Sequence, residues 1–205
     1  KRRALLTGSL SVLGLAAVSS PAGAAELRFR PQPGLARLSA NENPYGPSPK
    51  ALAAARRAVE LGAFYPGPIA QDLTAMIAAG NDVSEEHVVI SSGSNEALCA
   101  TMAAFGREGS ILTAELTYCP HLRYAGKIGI EVVRLPLAAD MSFDLAAMAE
   151  RSKQGDIALI YICQHNKPSG MELDAQLQRQ FGGEISDDVV VLVAEPYYEF
   201  TDKTL

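Results

Sequence analysis

An α/β fold with a mostly parallel sheet is what this sequence predicts, on three observations. Short apolar runs recur from His87 onward, helix-patterned stretches separate them, and each run is apolar at successive positions, not at alternate ones. Strands of that kind are buried on both faces, so helices must cover the sheet above and below in a three-layer α/β/α arrangement. The 205 residues, 48% hydrophobic and 20% charged, suffice for one or two domains with a real core. No repeat with a period of about 20 to 50 residues is present, which sets solenoids aside.

Taken in order, the chain opens on a basic start, Lys1-Arg2-Arg3, an apolar middle from Ala4 to about Val18, and small residues at Ala22-Gly23-Ala24. That is signal-peptide anatomy for residues 1–24. The apolar span is shorter than the roughly 20 residues a membrane helix needs. The pair Arg2-Arg3 points to twin-arginine export and a periplasmic destination, with an ordinary secretory signal as the alternative. Removing these residues takes away three basic and no acidic side chains, so the net charge of −5 becomes −8. Such a chain should not seek nucleic acid, nor a membrane once the signal is gone. Cys99, Cys119 and Cys163 are odd in number and lack C-x-x-C spacing, which fits free buried thiols and neither a disulfide framework nor a metal site.

Residues 25–48 hold Pro31, Pro33, Pro44 and Pro47 with Gly34 and Gly46, the composition of an extended arm. Pro49 then opens a helix over "PKALAAARRAVELGA", because a missing N–H costs nothing in the first turn. A second helix, "AQDLTAMIAAG", follows the turn "FYPGP". Five strands are expected at "HVVIS", "SILTA", "EVVRLPL", "IALIYIC" and "VVVLVA", with helices between them. Ligands of parallel sheets lie beyond the carboxyl ends of the strands, so the residues just after each run are the candidates for chemistry.

After "HVVIS", Gly93, Ser94 and Asn95 lead into a helix whose first N–H groups face a phosphate or simply receive a side-chain cap; both readings stand on spacing alone. Tyr118 follows "SILTA", Lys167 follows "IALIYIC" in the turn "QHNKPSG", and Ala194 and Tyr197 close the last run in "AEPYYEF". Four strand ends can therefore converge on one flat, phosphorylated ligand.

The strings "LSANENPYGPSP", "FYPGP", "VISSGSNEAL", "LTYCPHLRYA", "IYICQHNKPSG" and "VLVAEPYYEF" occur in this order between residues 36 and 202. Together they resemble the amino-terminal portion of histidinol-phosphate-type aminotransferases, class I/II enzymes of fold type I. The resemblance implies the large domain of that fold, incomplete over residues 49–205, with pyridoxal 5'-phosphate as cofactor. It also implies that Gly93, Ser94 and Asn95 hold the cofactor phosphate, that Tyr118 stacks on the pyridine ring and that Tyr197 donates to its phenolic oxygen. Tyr65 would reach the phosphate in a neighbouring subunit, hence a homodimer, and the arm around Asn41 and Asn43 would border the substrate. The implied partners are an amino acid, or amino-alcohol phosphate, and a 2-oxo acid.

Three departures accompany the resemblance. Lys167 stands where relatives carry an asparagine that donates to the phenolic oxygen; an ammonium still donates, and its charge favours the phenolate more than an amide does. Ala194 stands where relatives carry the aspartate that keeps the ring nitrogen protonated, and loss of such a charge lowers a pKa by about 1 to 3 units. Glu195 is expected to point to the opposite face, as neighbouring strand residues do. The Schiff-base lysine implied by the resemblance lies past Leu205, so no catalytic residue is assigned within the chain, and Lys167 should approach the phenolic edge of the ring, not the aldehyde. These departures keep a second reading open, a non-catalytic relative used as a binding or dimerisation module. A third retains the cofactor for decarboxylation or β-elimination.

Overall fold

Burial on both faces, read from the apolar runs, is realised in a parallel sheet whose inner strands are dry. The computed structural model describes residues 34, 35 and 38–200, so the expected signal peptide, residues 1–24, lies outside the described residues, as does most of the first half of the arm. Two compact units divide between Phe64 and Tyr65.

In the first unit, helix α1 spans Pro49–Ala58 and continues as a 3-10 turn, Val59–Ala63, where one continuous helix was expected. Pro49 occupies the first turn and the Ser48 side chain accepts from Ala51 N–H at 3.2 Å, a capped start. Upstream, Asn43 Oδ1 accepts from Tyr45 N–H at 3.0 Å, closing an asparagine turn in the arm.

In the second unit the order is α2 (Gly67–Gly80), α3 (Ser94–Phe105), β1 (Ser110–Ala114), α4 (Pro120–Lys127), β2 (Val132–Leu135), α5 (Leu145–Ser152), β3 (Ile157–Cys163), α6 (Ala175–Glu184) and β4 (Val190–Ala194). The four strands form one parallel sheet in the order β2-β1-β3-β4. All five residues of β1 are buried, and successive side chains of a strand alternate faces, so both faces are covered. The helix pairs α3 with α4 and α5 with α6 supply that cover. Ile111, Leu112, Leu159, Ile160 and Ile162 form the centre of the core, while the outer strands β2 and β4 are only partly buried. The Asp144 and Asp174 carboxylates cap α5 and α6. Gly109 lets β1 start hard against β3: a Cβ there would sit 2.7 Å from the Asp156 carbonyl oxygen.

One expected strand is absent. Of residues 87–91, "HVVIS", His87 ends a short 3-10 turn and the rest run as irregular chain, with Val89 86% exposed. An apolar run becomes a strand only beside a partner that satisfies its backbone, and among the described residues no strand lies alongside this one. Cys163 is buried as expected, whereas Cys99 and Cys119 are only half-buried; all three are free thiols. No helix among the described residues is long and apolar enough to cross a membrane.

Candidate functional site

The carboxyl ends of β3 and β4 and the start of α3 enclose a cavity of about 320 Å³, within the range of small-molecule sites, about 300–1,000 Å³. Its wall brings together Ser94, Tyr118, Lys167 and Ala194, one candidate from each of the four predicted segments. Tyr161 and Cys163 of β3 and Leu192 and Val193 of β4 complete its apolar part.

Gly93 begins α3 at φ 86° and ψ 159°, a backbone region that is essentially reserved for glycine. No side chain caps this helix, so the plain-cap reading of Ser94 and Asn95 does not hold. Glu96, in the first turn, instead accepts from Ser92 N–H and folds the preceding loop back onto the helix. Ser94 faces the cavity, and Asn95 Oδ1 accepts a hydrogen bond from the Tyr118 hydroxyl at 3.0 Å. That bond joins the loop after β1 to the start of α3 and fixes the tilt of the Tyr118 ring.

The turn that carries Lys167 is held by its neighbours. Asn166, 2% exposed, donates from Nδ2 to the Leu116 carbonyl at 3.0 Å and to Ser169 Oγ at 2.9 Å. Its backbone N–H donates to Met171 and its carbonyl accepts from Gly170 N–H. Gln164 exchanges two side-chain hydrogen bonds with the Leu173 backbone. With both ends of the turn fixed, Lys167 Nζ lies 5.2 Å from the Tyr118 ring centroid and 5.1 Å from that of Tyr197. An ammonium within about 6 Å of a ring is attracted by the ring quadrupole, so both rings hold the cation at the cavity edge.

Beneath Tyr118, His121 is fully buried, edge-on to Tyr161 with ring centroids 4.2 Å apart. Burial, then the Arg134 guanidinium, lowers its pKa from 6.5 to about 4, so the ring is neutral near pH 7. Burial also pushes up the Tyr161 phenol and the Cys163 thiol. Glu195 lines the cavity as well, correcting the expectation that it faces away: β4 ends at Ala194, and the strict alternation of a strand ends with it. Burial raises the Glu195 carboxyl pKa, with His165 partly opposing the rise.

The other predicted residues fall elsewhere. Tyr197 stands at the rim through its contact with Lys167. Tyr65 is 99% exposed, just before α2, and is not part of the cavity wall. Asn41 and Asn43 belong to the first unit. Tyr161, Cys163 and His121 were missed by the sequence reading. Tyr161 and Cys163 are two apart at the end of β3, the spacing that puts both on one strand face, and this was the available signal.

The family model for aminotransferase class I and II matches residues 33–204. A histidinol-phosphate aminotransferase 2 of Rhizobium meliloti is 35% identical over 169 residues, 81% of this chain and 46% of the relative. A histidinol-phosphate aminotransferase of Macrococcus caseolyticus is 30% identical over 192 residues, 93% of this chain and 54% of the relative. The chain thus spans about half the length of the curated relatives it matches. In fold it is similar to the crystal structure of a histidinol-phosphate aminotransferase from Sinorhizobium meliloti in complex with pyridoxal-5'-phosphate, at a TM-score of 0.73 and 24% identity, covering 78% of this chain and 44% of the other.

Proposed function

Because this chain belongs to the aminotransferase class I and II family, we propose that it is the cofactor-binding portion of a pyridoxal-phosphate enzyme that moves an amino group between an amino acid, or amino-alcohol phosphate, and a 2-oxo acid. The single observation that carries this reading is the cavity that gathers Ser94, Tyr118, Lys167 and Ala194 from four segments. Its walls fit the cofactor at three of four places. Ser94 and the first N–H groups of α3 suit a phosphate, since helix starts leave such donors unpaired. The Tyr118 ring, braced by Asn95, suits stacking on a flat heteroaromatic ring. Lys167 and Tyr197 are donors for a phenolic oxygen. At the fourth place the wall is a methyl group, Ala194, with no carboxylate of its own.

When bound, pyridoxal phosphate supplies an aldehyde that takes up the amino group and a ring that withdraws electrons from the bond being broken. The chain's own residues bind, orient and exclude water: Tyr161, Leu98, Leu192 and Val193 make the apolar lining against which the polar contacts act. Neutral His121 supports Tyr161 from below and holds no mobile proton near neutrality.

Three further parts of the proposal rest on other observations. Ile69, Leu73 and Met76 on α2 are 55%, 43% and 71% exposed, an apolar face that supports a homodimer. Exposed Tyr65, just ahead of that helix, is the residue that would reach the partner subunit in this proposal. The basic and apolar start of the sequence supports export to the periplasm. A second reading is favoured by Lys167 and Ala194 themselves: a relative that binds the cofactor without catalysing transfer.

The test adds pyridoxal phosphate to the purified protein and follows the absorbance of bound cofactor, then supplies amino donors and 2-oxo acids. Binding that Tyr118→Ala weakens at least tenfold, with transfer, supports the enzyme. Binding without transfer under any donor supports the second reading. No binding at all removes the cofactor site.

A further inference from the structure

The cavity is charged at one end. Lys167 Nζ sits between the Tyr118 and Tyr197 rings at 5.2 Å and 5.1 Å, so its ammonium is anchored at the mouth by two aromatic faces. Along β4 the wall is Leu192, Val193, Ala194 and Pro196. The sheet register pairs Ala194 with Cys163, and the Ala194 carbonyl accepts from Gln164 N–H at 2.8 Å, so this methyl cannot be moved aside without breaking the ladder.

The titratable side chains facing the cavity are Tyr118 from the loop before α4, Tyr161 and Cys163 from β3, Lys167 from the following turn and Glu195 just after β4. Next to them stand Tyr197, which meets Lys167 at the rim, and His165, which faces Tyr197 with ring centroids 6.5 Å apart and pairs with Glu172 at 3.7 Å. Burial favours the neutral forms of Tyr161, Cys163 and Glu195. The wall therefore offers one anchored cation, and its one carboxyl, Glu195, lies just past the end of β4 with burial favouring its neutral form.

Resting on the cofactor reading above, we infer that this cavity holds pyridoxal phosphate with its phenolic oxygen ionised against Lys167 and its ring nitrogen unprotonated over Ala194. A nearby cation lowers the proton affinity of the phenol and also of the ring nitrogen, because both protonations add positive charge. Position 194 supplies no carboxylate, and burial raises the pKa of Glu195, the carboxyl that does line the cavity, which weakens the opposition to that second effect. The consequence for chemistry is specific. Exchange of one amine for another at the aldehyde needs no ring proton, whereas withdrawal of electrons into the ring does, so this site is suited to capturing and holding an amino compound more than to cleaving its bonds.

The experiment uses cofactor labelled with nitrogen-15 in the ring, bound to the protein, with the nitrogen resonance followed from about pH 6 to about pH 8.5. The expected result is a bound resonance at the unprotonated position across that range. Ala194→Asp should raise proton occupancy at the nitrogen at least tenfold near neutrality, and Lys167→Asn should move the phenolic titration, read by absorbance, to higher pH by about 1 unit or more. A bound wild-type resonance at the protonated position overturns the inference while leaving the cofactor site intact; if Glu195→Gln then removes that proton, Glu195 is the nitrogen's partner. Absence of any bound resonance overturns the cofactor reading and this inference together.

Discussion

Replacing His121 by Phe should remove an acid sensitivity from the fold. His121 is wholly buried in α4, edge-on to Tyr161, and neither ring nitrogen has a hydrogen-bond partner. Its pKa is lowered from 6.5 to about 4, by burial first and Arg134 second. Between those values the unfolded chain binds a proton that the folded chain refuses, so stability rises with pH through this window and falls as the medium is acidified. At about 1.4 kcal/mol per pK unit the full gap corresponds to about 3 kcal/mol, of which about 2 kcal/mol is lost by about pH 4.5. The assay is urea unfolding followed by circular dichroism at about pH 7 and about pH 4.5, for the natural protein and for His121→Phe. Taking the difference between the two proteins cancels the carboxylates that titrate in both. The natural protein should lose about 2 kcal/mol more than the variant on acidification. Equal losses would refute the picture of a neutral imidazole sealed beneath the site.

Asn166→Ala should destabilise the fold by about 1 kcal/mol, since it removes the hydrogen bonds that the buried Asn166 side chain donates to the Leu116 carbonyl and to Ser169; thermal unfolding measures this, and cofactor affinity should fall with it because Lys167 is then unfixed. Gly93→Ala should cost about 1 to 3 kcal/mol although an added Cβ meets nothing within 4 Å, so the cost is conformational, and Gly93→Asn should cost as much in the same unfolding assay, because asparagine tolerates positive φ in the left-handed helical region and not at ψ 159°. Tyr118→Phe should bind pyridoxal phosphate more weakly by less than Tyr118→Ala, because it keeps the stacking ring and loses only the hydrogen bond to Asn95; a titration of bound-cofactor absorbance separates the two.

Much of this arrangement was legible in the sequence because burial on both faces leaves a plain mark. The runs at β3 and β4 are apolar at every position and β1 carries only the small hydroxyls Ser110 and Thr113 besides apolar residues, and the structure puts β1 and β3 in the middle of the sheet. The run at residues 87–91 carries the same mark and is not a strand, since composition records what a segment can do and not whether a neighbour is present to pair with it. The four candidate loops were legible from one topological rule, that parallel strands point their carboxyl ends at the ligand. What the rule does not give is orientation past the last paired residue. Glu195 was assigned to the far face by strand alternation, yet the chain has already left β4 there. Tyr161 was hidden inside "IALIYIC": its spacing from Cys163 puts the two on one face, but a continuous apolar run does not say which face meets the cavity. His121 was hidden because a histidine in a helix reads the same from sequence whether it is wet or dry.

The most direct test of the central claim, that four separate segments build one cofactor cavity, is amide hydrogen exchange with and without pyridoxal phosphate. The account predicts slower exchange on binding in residues 92–98, 116–121, 163–170 and 192–197 together. Protection confined to one of these segments, or found in none of them while the cofactor is bound, would contradict it.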